Sequence, residues 1–225
     1  MADVVDLRRE GSVFVLQVRA GENRINRSFL DAVNAALDEV DASTGNAALV
    51  TTGDGRYYST GLDLEWLGSG AEPPVAFLQD VHRLFARVLV SPIATVAAIN
   101  GHAFAAGAML ALAHDFRVMR SDRGFFCFPE VDLKTGQPLT QGMYALIDAR
   151  LARSVTHEAL VTGRRYTADE ALEQQMVNEV APEASVLSRA IEIAAGLAEK
   201  HRPTLGAIKR GLFAQALEAL GEQPA

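Results

Sequence analysis

Apolar and polar residues alternate between two periods along this chain, and the switch between them marks its elements. Val13-Phe14-Val15-Leu16-Gln17-Val18 is a short apolar run that predicts a strand. From Asn26 to about Val40 the apolar residues are Leu30, Val33, Ala36, Leu37 and Val40, which is helical spacing with one buried face. Ala47 to Thr52 predicts a second strand, stopped by Gly53-Asp54-Gly55. Leu62 to Leu67 reads as a short helix. Pro73 and Pro74 open a longer one through Leu89, because proline suits a first helical turn. Ile93 to Ile99 predicts a strand ending at Asn100-Gly101, and Ala105 to Ala113 a helix. Phe116–Met119 and Phe125–Phe128 read as further strands. Beyond Gly142 the pattern is mostly helical, punctuated by Gly163, Pro182 and Pro203. Strand, turn and helix thus repeat over residues 1–142, and a helical region fills 143–225. Residues 134–142, Lys-Thr-Gly-Gln-Pro-Leu-Thr-Gln-Gly, are the candidate hinge or lid.

Composition narrows the function. A formal net charge of −7 disfavours a nucleic-acid partner, which calls for a basic face. No stretch is long and apolar enough for a membrane span, and the N-terminal run has no apolar signal core. The expected location is cytoplasmic. Cys127 is the only cysteine, so no intrachain disulfide forms, and its neighbours Phe126 and Phe128 predict a buried apolar role. No His, Cys, Asp and Glu spacing suggests a metal site, and no dinucleotide or Walker fingerprint is present. The histidines fall at helix faces or helix ends; His102 and His114 read as structural. Ser59 has no local histidine–acid partnership.

Two turns carry the candidate chemistry. Gly55 to Leu64 and Asn100 to Leu110 each follow a strand and open a helix with small residues, so their first amides are accessible and unpaired. Two such helix starts aimed at one point form a site for a developing oxyanion. The runs Tyr58-Ser59-Thr60-Gly61-Leu62-Asp63-Leu64, Asn100-Gly101 with Ala105-Ala106-Gly107, and Asp115-Phe116-Arg117-Val118 together resemble the crotonase superfamily of enoyl-CoA hydratases and isomerases. The resemblance spans about residues 5–210. It implies an α/β fold of repeated ββα units forming a spiral core, with a C-terminal helical region that assembles trimers, or trimers paired into hexamers. It implies an acyl-CoA substrate, with coenzyme A arriving as part of that substrate and no separate cofactor.

By the same resemblance, Leu62 and Ala106 supply the oxyanion amides, and the Thr60 carbonyl meets the adenine amine of CoA. Arg24 lies alongside the CoA, or is simply solvated. Asp63 and Met109 fall in the substrate region. Lys209 and Arg210 either reach a CoA phosphate or are solvated.

Family hydratases resemble a two-glutamate design. Here the first position is Met109, and the second falls at Glu130. Hydration needs a carboxylate for water and one for a carbon proton. Moving a double bond from C3 to C2 needs one base and an oxyanion hole. Phe125, Phe126, Phe128 and Met109 would desolvate Glu130 and raise its pKa. Asp132 is the alternative base, since on a strand it would share Glu130's face. The run from Arg120 to Leu133 resembles the short Δ3,Δ2-enoyl-CoA isomerases of plant and fungal type. The alternatives are a hydratase or other acyl-CoA enzyme of this fold, and a non-catalytic assembly or binding subunit.

Overall fold

The computed structural model describes residues 4–133 and 139–222. After an opening hairpin whose two strands both join a large sheet, each strand pair lays its first strand in that sheet and its second in a small one. Strands β1 (Val5–Glu10) and β2 (Val13–Val18) lead to helix α1 (Arg27–Ala42). β3 (Ala48–Gly53) and β4 (Tyr57–Ser59) lead to α2 (Leu64–Gly68) and α3 (Pro74–Leu89). β5 (Ala94–Ile99) and β6 (His102–Phe104) lead to α4 (Ala106–Ala113). β7 (Phe116–Arg120) and β8 (Phe126–Cys127) run into a 3-10 turn, Pro129–Asp132. The helices α5 (Gln141–Arg150), α6 (Arg153–Thr162) and α7 (Ala168–Glu173) follow. After β9 (Glu179–Ala181) come α8 (Glu183–Leu197), α9 (Arg202–Leu212) and α10 (Ala214–Ala219).

The large sheet has the order β1-β2-β3-β5-β7-β9, parallel except for the β1–β2 hairpin; the small one is β4-β6-β8, all parallel. This is the ββα spiral that the resemblance implies. β2, β3 and β5 are mostly apolar and almost wholly buried because both faces of the large sheet are covered. Phe14, Leu16, Leu49, Ala97 and Ile99 enter the main core with α1, α3 and α4. The alternate residues Val13, Val15, Val50, Val96 and Val118 pack with Val186, Ala190 and Ala194 of α8. The helical tail is therefore not an appended unit, because α8 closes the sheet's second face.

β1, β4, β6 and β9 are absent from the sequence-based prediction. β4, β6 and β9, three residues each, hold too little of a period-two pattern to register, and β1 is obscured by Asp6, Arg8, Arg9 and Glu10; β4 is held by β6, and β6 also by β8. The Phe125–Phe128 strand is shorter than its aromatic run suggests, since Pro129 opens the 3-10 turn. Of the candidate lid, residues 134–138 lie outside the described residues. Thr140 caps α5, accepting from the Met143 amide at 3.2 Å, and Gly142 is already helical.

Candidate active site

The two glycine turns interlock through their backbones. Gly61 has φ +91°, open to glycine and strained for other residues. A Cβ there would lie 3.0 Å from the Ala106 nitrogen and 2.9 Å from the Ala105 Cβ. Gly107 returns the contact, since a Cβ on it would overlap the Ser59 carbonyl. The start of α4 thus sits against the segment that precedes α2. Leu62 forms a parallel bridge with Ile25, in which the Ile25 amide donates to the Gly61 carbonyl (2.8 Å) and Asp63 to the Ile25 carbonyl (3.0 Å). A parallel bridge of this kind turns the amide of Leu62 itself away from Ile25. Neither the Leu62 nor the Ala106 amide donates to a described residue. Both Leu62 and Ala106 are thus placed with unspent donors on adjoining turns, which is what an oxyanion hole requires.

Residues 22–26 clasp the first turn. The Thr60 amide donates to the Glu22 carbonyl at 3.1 Å, while the Thr60 carbonyl accepts from no described residue. Asn23 organises this clasp: it is buried at φ 51°, and its side chain donates to the Tyr57 and Tyr58 carbonyls and accepts from the Ala20 amide. The Ser59 hydroxyl donates to the Asn23 carbonyl at 2.7 Å and accepts from the Gly61 amide at 3.2 Å. The sequence reading missed both supports. Asparagine's tolerance of positive φ after Gly21-Glu22 was the available signal for Asn23. Arg24, on this clasp, is exposed and paired with Glu22 at 2.7 Å. Asp63, expected among the substrate contacts, caps α2 with one oxygen, which accepts from the Trp66 amide, while the other accepts from the Asn26 side chain, both at 3.1 Å.

Glu130 stands on the 3-10 turn that leaves β8. The Cys127 carbonyl accepts from the Ala105 amide at 2.9 Å, so only Phe128 and Pro129 separate Glu130 from a residue in direct contact with the second turn. Its side chain is half-buried, one carboxylate oxygen is enclosed with no partner among the described residues, and burial pushes its pKa up to about 7. Asp132 does not share its face, because two residues on a 3-10 turn diverge by about 120° where a strand would align them. Asp132 is exposed and approaches Gly163. Met109, expected among the substrate contacts, has no exposed surface and packs in the main core.

Lys209 is withdrawn from any CoA phosphate: it is buried, donating to the Ile93 carbonyl (2.8 Å) and to Asp115 (2.7 Å). Arg210 is exposed. Cys127 is buried as expected, its thiol pushed up to about 11 by burial. His114 is driven down to about 3 by burial and is neutral. Its Nδ1–H therefore donates to the Leu110 carbonyl (2.8 Å), and its Nε2 accepts from Thr51 (2.9 Å). His102 packs among Tyr57, Phe104 and Phe125. No cluster of metal-ligating side chains occurs among the described residues, and none of their helices is long and apolar enough to cross a membrane.

Comparison with known proteins gives concordant results. The family described as "Enoyl-CoA hydratase/isomerase" matches residues 8–225. Enoyl-CoA delta isomerase 3 of Arabidopsis thaliana is 31% identical over 203 residues, which is 86% of this chain and 84% of that protein. An enoyl-CoA isomerase from Mycobacterium tuberculosis superposes with a TM-score of 0.90 at 31% identity, covering 98% of this chain and 96% of the other. An enoyl-CoA hydratase from Mycobacterium marinum superposes with a TM-score of 0.89 at 28% identity, covering 97% and 95%.

Proposed function

The chain belongs to the enoyl-CoA hydratase/isomerase family, and from that premise we propose that it shifts a double bond from C3 to C2 of an enoyl-CoA, with Glu130 as its single base. It is a crotonase-type acyl-CoA enzyme; the direction of its chemistry is the inference. The observation that carries it is Glu130, a half-buried carboxylate with an enclosed, unpartnered oxygen and a pKa raised by burial to about 7; Met109, where the resemblance gives hydratases a second glutamate, carries no acid.

The thioester oxygen lies between the Leu62 and Ala106 amides. Glu130 takes a proton from C2, and the electron pair moves into the thioester, placing negative charge on that oxygen. The charge is met by two fixed N–H donors and by the N-terminus of α4. The double bond now spans C2 and C3 as the enolate collapses, and Glu130 returns its proton to C4. Nothing is consumed, so one carboxyl group serves as base and then as acid. A pKa near neutrality suits both halves of that cycle. Thr60 offers its carbonyl to the adenine amine, and Arg24 stands on the same strip of chain.

The test is 3-hexenoyl-CoA and crotonyl-CoA assayed side by side on purified protein. Isomerisation should far exceed hydration; hydration at an equal or greater turnover would overturn the assignment in favour of a hydratase, which is how the M. marinum neighbour is described. The assembly proposed with this function is a trimer, or two trimers paired, and sedimentation equilibrium reads it directly.

A further inference from the structure

A second polar site lies at the other end of α4, one helix length (about 12 Å) from Ala106. We infer that the cleft between Arg117, Arg150 and the loop carrying Gln175 and Asn178 binds an oxyanion, a phosphate or a carboxylate. The cleft has a volume of about 580 Å³ and is also lined by Asp115 and Val177.

The two guanidinium groups are fixed and incompletely used. Arg117 is 3% exposed, with Nε donating to the Met176 carbonyl at 2.7 Å and Nη1 to the His114 carbonyl at 2.9 Å. Arg150 donates from Nε to the Leu112 carbonyl at 2.8 Å, and from Nη2 to the His114 and Asp115 carbonyls at 2.7 and 3.0 Å. Sharing the His114 carbonyl holds the two groups side by side. Arg117 Nη2 and Arg150 Nη1 donate to no described residue, and both residues line the cleft. These are the paired N–H donors that planar oxyanions accept.

The charge balance points the same way. Arg117, Arg150 and Lys209 share one carboxylate, Asp115, whose Oδ2 already accepts from Lys209 (2.7 Å) and from the amide and hydroxyl of Thr95 (2.8 and 3.2 Å). The carbonyls at the end of α4 offset only part of the excess. Burial, and then repulsion by Arg150, lowers Arg117 to about 9, and burial also lowers Arg150 and Lys209. Buried like charges without counter-charge are costly, and an anion in the cleft relieves that cost. Gln175 and Asn178 stand exposed at the rim. The Asn178 Oδ1 accepts from the Arg117 amide at 2.9 Å, leaving its NH2 as a further donor.

The experiment is thermal unfolding in inorganic phosphate against chloride at constant ionic strength. Wild-type Tm should rise saturably with phosphate. Arg150→Met should weaken the apparent affinity about tenfold or more, the scale of a lost charge-assisted hydrogen bond. Gln175→Glu is a surface change that keeps the fold's hydrogen bonds and places a carboxylate at the rim; it should raise Tm alone and weaken the phosphate response to the same degree. No rise beyond chloride in wild type overturns the inference. So does a phosphate response unchanged in Gln175→Glu, which would locate the binding elsewhere. Sedimentation velocity identifies the source of the anion. Phosphate-induced dissociation of wild type assigns the natural occupant to a carboxylate of a second copy, and an unchanged sedimentation coefficient assigns it to a free anion.

Discussion

Glu130 ties activity and stability to the same ionisation, with opposite signs. As a base it must be charged, so kcat/KM should fall below about pH 7 with the slope of one proton. As a carboxylate whose pKa is raised by folding, it favours the folded state while protonated. That contribution is complete below the ordinary value of 4.5 and is lost as pH rises through about 7. Glu130→Gln should therefore cost roughly 10²–10⁴-fold in turnover. It should also stabilise the fold by roughly 1–3 kcal/mol at pH 8 and by almost nothing at pH 4. Urea titrations at both pH values read the stability, and exchange of the C2 hydrogens in D2O reads proton abstraction. Unslowed exchange in Glu130→Gln would remove Glu130 from the role; Asp132→Asn is the control, expected near wild type because Asp132 faces elsewhere. Ala105 offers a second test at this scale. It holds φ 50° and ψ −127° at the start of α4, a region natural to glycine, at a cost of about 1–3 kcal/mol. Ala105→Gly should gain about 1 kcal/mol after the added entropy of the unfolded chain, with turnover preserved. A loss of stability would show that the alanine methyl's packing outweighs the strain.

Among the elements, α8 shows how little of a helix's setting its own periodicity reveals. Its alanines at 190 and 194 are fully buried against β-strand valines, where a small residue lets the helix approach the sheet. Ala190→Leu should cost about 1–3 kcal/mol through overpacking, read as a lower urea midpoint with an unchanged m-value. A neutral result would mean that α8 rides loosely on that face. The long helices α1 and α3 follow their apolar spacing, and Asn26 caps α1 where the pattern begins. β4 and β6 leave almost no trace of their own in the sequence. They exist because Tyr57 meets His102 and Ala103 meets Phe126 across parallel strands.

At the scale of the whole molecule, one buried cluster joins distant parts of the chain. Asp115, after α4, holds Lys209 of α9 across 94 positions of sequence and also receives the start of β5 at Thr95. Asp115→Asn leaves three neighbouring cations without a carboxylate and should cost about 3–5 kcal/mol, measured by chemical denaturation. A cost under about 1 kcal/mol would show that the carbonyls around the cluster suffice. The sequence by itself determined the strands β2, β3 and β5, the helices α1, α3 and α4, the two glycine turns and Glu130, because apolar period and turn chemistry are local properties. It also held the family resemblance that orders these pieces. Tertiary structure alone decided that Lys209 faces Asp115, that Asp63 caps α2 with one oxygen and holds the Asn26 side chain with the other, and that Glu130 and Asp132 part company on a 3-10 turn. It decided too that Gly61 lies on the Ala106 nitrogen. Those facts depend on which distant backbone atoms arrive beside a residue, and no local pattern encodes an encounter between segments forty or ninety positions apart.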